Sequence, residues 1–107
     1  GIYPSRFPFF YMSNDVPYLN ETEIRGLLYI AEINQELDQS ENATIAQLTD
    51  HSEWRSSYFT NTWKSLSPQL VNREKDGQNT RLGLTNLGWD AVSAYRELNM
   101  IFDEAGL

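Results

Sequence analysis

The sequence predicts a mainly α-helical domain with one small β-hairpin and a long C-terminal helix. Apolar residues recur at helical spacing in four segments of the chain. Two short runs that are predicted as strands, residues 70–74 and 80–84, flank Asp76-Gly77, a dipeptide that is a strong hairpin signal. Thr85 then precedes a final periodic stretch and can cap the helix that it begins. The predicted order is therefore three helices, a hairpin and a fourth helix.

Length and composition limit the class of protein. The chain has 107 residues, of which 40% are hydrophobic, as expected for one small globular domain. It contains no cysteine, which excludes disulfides and thiolate metal sites. No apolar run approaches the roughly 18 residues of a membrane-spanning helix, and no secretory signal pattern is visible. We therefore expect a cytoplasmic protein without a membrane partner.

The net charge of −7 is unevenly distributed along the chain. Residues 1–50 hold two Arg against eight acids, and residues 89–107 hold one Arg against four acids. Residues 51–88 hold five of the eight basic residues against three acids. An acidic surface repels nucleic acid, so this one basic segment is where a nucleic acid would bind. Because only two of the basic residues are Lys, the composition also resembles that of halophilic proteins; a merely acidic cytosolic domain is the alternative.

Residues 1–19 form an N-terminal arm that is dense in aromatic residues and proline. The proline spacing argues against a helix, and so many aromatic side chains favour packing on the body or on a partner subunit. The remaining residues, 20–107, are expected to form the domain itself.

Helices 1 and 2 are indicated by caps and apolar faces. Asn20 is expected to cap helix 1 with Glu23 in a capping box. Thr44 or a neighbour is expected to start helix 2, with Ile45, Ala46 and Leu48 facing inward. The apolar face of helix 1 comprises Ile24, Leu27, Leu28, Ile30, Ala31 and Ile33.

Helix 3 is predicted over residues 53–66 after a turn at 50–52, with Ser52 as its N-cap. Phe59, Trp63 and Leu66 are its expected buried stripe, and Pro68 stops it. The strands of the hairpin are predicted at 70–74 and 80–84.

Helix 4 is predicted from Thr85 to about residue 104 or 105 and carries two apolar stripes. Since one helix of a small domain seldom buries two faces internally, we expect the second stripe and the arm to form a dimer interface. One stripe is Val92, Tyr95, Leu98 and Phe102, and the other is Ala91, Ala94, Ile101 and Ala105.

Two groups of side chains are candidates for binding DNA. Opposite the buried stripe of helix 3, four polar residues recur at positions i, i+3, i+4 and i+7, and Arg55 and Ser56 lie near the helix start. Such side chains suit base edges and phosphates, although an ordinary solvated face is the alternative. The four are Ser57, Thr60, Asn61 and Lys64.

The hairpin tip supplies the second group, which suits the sugar-phosphate backbone or a minor groove. The alternative is a polar surface hairpin, which Glu74 and Asp76 favour. The candidates are Arg73, Lys75, Gln78, Asn79 and Arg81.

The run Leu70-Val71-Asn72-Arg73 followed by Leu84-Thr85-Asn86-Leu87-Gly88 resembles winged helix-turn-helix regulators of the MarR and PadR type. Those proteins share a Leu-Val-x-Arg strand, a wing, and Leu-Thr-x-x-Gly opening the last helix. The resemblance covers about residues 20–104. With its excess of acidic over basic residues, the chain is similar to the haloarchaeal type of these regulators, which includes the oxidative-stress regulator RosR. Helix 3 is less basic here than is usual in the family, and the aromatic arm is a departure.

The resemblance implies a homodimeric transcription regulator that reads double-stranded DNA at a pseudo-palindromic operator. The alternative is a winged-helix module that binds protein rather than DNA. Catalysis has the least support: His51 is the only histidine, in a predicted turn, and no nucleophile motif or phosphate loop is present. We expect no catalytic residue, no metal site and no cofactor.

Overall fold

The computed structural model describes residues 19–106, so the aromatic arm expected over residues 1–19 lies almost wholly outside the described residues. The described chain has four helices and a small antiparallel sheet, which confirms the predicted fold class. The elements are α1 (Glu21–Leu37), β1 (Ala43–Thr44), α2 (Ile45–Asp50), α3 (Ser56–Leu66), β2 (Val71–Asp76), β3 (Asn79–Leu84) and α4 (Asn86–Glu104).

Side-chain caps define the starts of three helices. The Asn20 side chain accepts from the Glu23 amide at 2.8 Å, and the Glu23 carboxylate accepts from the Asn20 amide at 2.9 Å, so the predicted capping box of α1 is confirmed. Thr44 and Gln47 form a second capping box at the start of α2. Thr85 caps α4 by accepting from the Gly88 amide at 2.9 Å. Each cap satisfies amides that lack partners within the helix.

Helix α3 begins later than the sequence predicted, and Ser52 is not its cap. The Ser52 hydroxyl donates to the Leu48 carbonyl at 2.7 Å and accepts from the Trp54 amide at 3.2 Å, which closes a tight turn after α2. The Trp54 ring then packs 5.2 Å from the ring of Tyr29 and 5.3 Å from that of Phe59. This packing holds the chain off a helical path until Ser56, and Arg55 occupies the N-cap position without a side-chain cap.

The sheet has three strands in the order β1-β3-β2, all antiparallel. Toward the tip of the hairpin, β2 extends two residues further than predicted and β3 extends one residue further. The turn between them is Gly77-Gln78. Gly77 has φ +66°, as required at the first central position of a type II′ turn. The two-residue strand β1, which the sequence did not reveal, pairs Ala43 with Leu82.

The core lies between α1, α3 and the sheet. Of the predicted inward residues of α2, Leu48 is buried and Ile45 is half-buried, whereas Ala46 is exposed. Ala46 was therefore wrongly placed, because a two-turn helix buries only a narrow stripe. On α3, Phe59 and Leu66 are buried as predicted, Trp63 is half-buried, and Thr62 is buried beside them. The fully buried large side chains are Phe59, Leu27, Ile30, Ile33, Leu48, Leu66, Leu82, Val71 and Val92.

Helix α4 leaves the body after Arg96, which is half-buried and donates from Nη2 to the side-chain oxygen of Gln35 on α1 at 3.0 Å. Gly88 and Val92 are its buried residues, and every described position from Glu97 onward is exposed. Four large apolar side chains of this part are between 44% and 62% exposed: Leu98, Met100, Ile101 and Phe102. No helix within residues 19–106 combines the length and the apolar character that crossing a membrane would require.

Candidate nucleic-acid interface

The exposed side of α3 is the first half of the candidate site. Phe59, Thr62 and Leu66 face the core, so the opposite side of the helix faces solvent. Ser57, Asn61 and Lys64 are exposed there. Thr60 is half-buried, and its hydroxyl donates to the Ser56 carbonyl at 3.0 Å, which leaves its oxygen free to accept a further bond. The polar stripe, defined as Ser57, Thr60, Asn61 and Lys64, therefore presents donors and acceptors along one helix side.

The start of α3 adds a positive end to the polar stripe. Its first turn contains no acidic side chain, and Arg55 and Ser56 are both exposed. The first amides of a helix carry a partial positive charge and point outward along the axis. An anionic group approaching this end would meet those amides together with the Arg55 guanidinium.

The register of the hairpin separates its charges onto two faces. Side chains of directly paired residues lie on the same face, and successive residues alternate between faces. Arg73 pairs with the buried Leu82, and Lys75 pairs with Thr80, so both cations share the face that packs on α3. Glu74 pairs with Arg81 and therefore lies on the other face. Asp76 pairs with Asn79 on that same outer face. The acids that favoured a merely polar hairpin are thus kept away from Arg73 and Lys75.

Arg73 connects the hairpin to the helix. Its guanidinium carbon lies 4.9 Å from the centre of the Trp63 ring, within the range of a cation–π interaction. The Arg73 side chain is exposed, and no carboxylate among residues 19–106 is paired with it. Lys75, Gln78 and Asn79 are also exposed, nearer to the tip. The polar stripe of α3 and the cationic face of the hairpin consequently form one continuous surface.

Arg81 differs from the other candidates because its guanidinium is already occupied. It donates from Nε to the Asp76 carboxylate at 3.0 Å and from Nη1 to the Asn42 carbonyl at 2.7 Å. The Glu41 carboxylate lies 3.7 Å from its Nε. Only 14% of the Arg81 side chain is exposed. Arg81 therefore holds the hairpin to the segment before β1, a role that its position in the sequence did not reveal.

The structure gives His51, the one histidine of the sequence, a structural role. His51 ends α2 as its C-cap, with its amide donating to the Gln47 carbonyl at 3.0 Å and its Nδ1 3.7 Å from the Glu36 carboxylate. The predicted turn or cap role of His51 is confirmed. In the part of the chain that the structure describes, no three His, Asp or Glu side chains gather to hold a metal ion.

A helix, a tight turn and a second helix, followed by a hairpin packed on that second helix, define a winged helix-turn-helix domain in which β2 and β3 form the wing. Known structures share this fold. A mutant of MepR from S. aureus superposes with a TM-score of 0.64 at 18% identity, over 81% of this chain and 63% of that one. AF1382 from Archaeoglobus fulgidus gives 0.62 at 18% identity, over 78% of this chain and 91% of that one.

FabT of Streptococcus pneumoniae, solved in complex with DNA, gives a TM-score of 0.60 at 14% identity, over 81% of this chain and 59% of that one. The chain thus spans less than two thirds of the MepR and FabT chains. No protein-family model and no curated protein matches the sequence. The chain thus shares its fold with MepR, AF1382 and FabT. The resemblance to the RosR type stays a prediction.

Proposed function

We propose that the protein is a homodimeric transcription regulator that binds double-stranded DNA at a pseudo-palindromic operator. The observation that carries this proposal is the continuous surface formed by the polar stripe of α3 and the cationic face of the wing, joined where Arg73 lies over Trp63. A helix of this size fits a major groove, and a wing beside it reaches the flanking backbone or minor groove. The DNA complex of FabT shows that a domain of this fold can bind DNA.

The roles of the side chains follow from their chemistry and exposure. Asn61 has the amide that pairs with adenine, and the hydroxyls of Ser57 and Thr60 suit base edges or phosphate. Lys64 carries a charge that suits phosphate or guanine. At the ends of the surface, Arg55 and Ser56 would contact one backbone strand. The wing would contact the other through Arg73, Lys75, Gln78 and Asn79, with Arg81 holding the wing in place.

The projecting half of α4 supports a homodimer. Isolated helices of this length are marginal in water, so a projecting helix is stabilised mainly by packing its apolar side. Of the second predicted stripe, Ala91 is half-buried on the body. At about 100° per residue, its other members Ala94, Ile101 and Ala105 lie within about 60° of one another on the helix, together with Leu98 of the first stripe. A second copy of the chain would cover this stripe with the same stripe, as an isologous two-fold contact requires. Two copies of α3 would then face two half-sites of one operator.

A second candidate function is binding to another protein rather than to DNA. The observation that favours it is the net charge of −7, which opposes approach to a polyanion. The surface of α3 and the wing is the candidate contact in both cases. The candidates differ in one measurable property: only binding to phosphates releases counterions, so that removing one contacting cation lowers the slope of log affinity against log salt.

The acidic, lysine-poor composition supports a halophilic origin of the RosR type and a cytoplasmic regulator that works at high internal salt. In such a setting, molar salt screens repulsion between the DNA and the acidic flanks at residues 1–50 and 89–107. The proposal needs no enzymatic activity and no cofactor.

The experiment that tests the function is a gel shift against genomic fragments, run in parallel at low salt and in molar KCl. The parent protein should retain a subset of fragments at both salt concentrations. A variant with Ser57, Asn61 and Lys64 replaced by Ala should lose that subset, whereas Glu32→Ala, exposed on α1, should bind like the parent. Absence of any shift, or an equal shift with the triple variant, would contradict DNA binding through α3 and would favour the second candidate function, binding to another protein.

A further inference from the structure

Trp63 lies at the border between the core and the proposed DNA surface. Its side chain is half-buried, and the exposed Arg73 guanidinium lies 4.9 Å from the ring centre. At about 100° per residue, Trp63 lies about 60° around α3 from Thr60, the edge of the polar stripe. Thr62 lies on the other side of the buried stripe, close to Gly26 of α1. Trp63 is therefore a side chain of α3 that meets the wing, through its contact with Arg73.

The free protein already orders Arg73 in this position. A long cationic side chain loses rotamer freedom when it is fixed, and this loss normally opposes binding. An aromatic face that holds the guanidinium beforehand reduces the loss, and it leaves the N–H groups unused because a ring face is no conventional acceptor. By contrast, Arg81 on the other wing face has its N–H groups taken by Asp76 and Asn42.

We propose that Trp63 is a positioning residue that holds the Arg73 guanidinium at the junction of α3 and the wing, where it binds one DNA phosphate. A phosphate is the fitting ligand because a guanidinium offers two parallel N–H donors to two of its oxygens. The inference rests on the proposed function and deepens it, since it assigns a phosphate contact and the residue that prepares it.

The first measurement uses the free protein. Protons on the carbons next to the Arg73 guanidinium should show an upfield ring-current shift in NMR spectra, because they lie near an indole face. The shift should persist in Trp63→Phe and disappear in Trp63→Leu. If the parent protein shows no such shift, Arg73 is not held over Trp63 in solution and the proposal is overturned without any DNA experiment.

The second measurement is a double-mutant cycle on DNA affinity, with fragments retained by the parent. Arg73→Ala should lower the slope of log affinity against log salt by about 0.9, the value for one phosphate contact. Trp63→Leu should weaken binding about two- to fivefold, as expected for an exposed cation–π interaction, and Trp63→Phe should restore most of it. In the Arg73→Ala background, Trp63→Leu should have no further effect.

Lys75→Ala is the matched control, because Lys75 lies on the same wing face and has no aromatic partner among the described residues. In that background Trp63→Leu should keep its full effect. An equal effect of Trp63→Leu with and without Arg73 would show a general structural role and overturn the proposal, while DNA binding would stand. Failure of the parent to bind DNA would overturn both proposals.

If Trp63→Leu is unfolded at the temperature of measurement, Arg73→Lys replaces it. That change keeps the charge but loses the planar group that stacks on an aromatic face and binds phosphate through two donors. Binding about two- to fivefold weaker than that of the parent supports the proposal, since the charge alone is then insufficient. Unchanged affinity overturns it.

Discussion

Arg81 and Asp76 are joined across the two strands of the wing by two short contacts. Nε and Nη2 of the guanidinium each lie 3.0 Å from the same carboxylate oxygen of Asp76. The third nitrogen donates to the Asn42 carbonyl at 2.7 Å, in the segment just before β1. The Arg81 side chain thus connects the two strands of the wing to each other, and it also connects the wing to the edge of the sheet. Arg81 contributes its charge to the internal structure of the wing and not to its outer surface.

The first prediction follows from this arrangement. Arg81→Ala should lower the free energy of unfolding by about 1–3 kcal/mol, because the Asn42 carbonyl and the Asp76 carboxylate lose their donor. Half of the Asp76 side chain is exposed, so solvent screening holds the effect to the lower part of that range. Urea unfolding followed by circular dichroism measures the change. Lys75→Ala should change stability by less than about 0.5 kcal/mol, and an equal loss in both variants would contradict the role of Arg81.

The second prediction concerns specificity. Asn61→Ala should reduce discrimination between operator and unrelated DNA by about 1–3 kcal/mol, as expected for one lost bidentate base contact. Lys64→Ala should weaken binding to all sequences and lower the salt slope by about 0.9. Fluorescence anisotropy with labelled operator and a scrambled duplex separates the two effects. If both variants bind the two duplexes like the parent, α3 is not the reading helix.

The third prediction concerns the Leu-Thr-x-x-Gly motif. A Cβ atom on Gly88 would lie 2.2 Å from the Leu70 carbonyl oxygen, which also accepts from the Thr85 amide at 3.0 Å. Gly88→Ala should therefore push α4 away from the sheet and destabilise the protein by about 1–3 kcal/mol. Asn86→Ala, at an exposed position two residues earlier, is the matched control. A melting temperature of Gly88→Ala equal to that of the control would show that this close approach does not exist in solution.

The fourth prediction concerns assembly. The parent protein should have twice the chain mass in light scattering at tens of micromolar. Ile101→Asp should yield monomers, because a charge in a buried apolar contact is strongly unfavourable. Ser93→Asp adds the same charge at an exposed position outside the apolar stripe and should leave the dimer intact. A parent that is monomeric at this concentration would count against the homodimer.

The fifth prediction concerns salt. Residues outside 51–88 carry a surplus of nine acids, and salt shortens the Debye length from about 10 Å at 0.1 M to about 3 Å at 1 M. The melting temperature should therefore rise with KCl, and specific binding should survive at molar KCl because few phosphates are neutralised. A melting temperature independent of KCl, together with loss of binding above physiological salt, would contradict the halophilic origin and favour an ordinary acidic cytosolic domain.

Features that depend on neighbouring residues could be predicted from the sequence alone. The capping box of Asn20 and Glu23, the Thr85 cap and the hairpin at Gly77 are made by residues within three positions of one another, so the local pattern contains the whole interaction. The buried apolar side chains of α1, Leu27, Ile30, Ala31 and Ile33, followed likewise from helical periodicity. Together these determined the order of the helices and the hairpin, and hence the fold class.

Features that depend on distant residues were decided only by the tertiary structure. The start of α3 moved because Trp54 packs against Tyr29, 25 positions earlier in the chain. Strand β1 exists because Ala43 pairs with Leu82, and Arg81 is occupied because Asn42 lies beside it. Whether a polar side chain faces solvent or a partner depends on which segments of the chain are in contact. Hydrophobic periodicity and secondary-structure propensity are local properties and do not predict those contacts. The sequence therefore determined the elements and the candidate residues, whereas tertiary contacts decided that Arg73 remains on the surface and Arg81 does not.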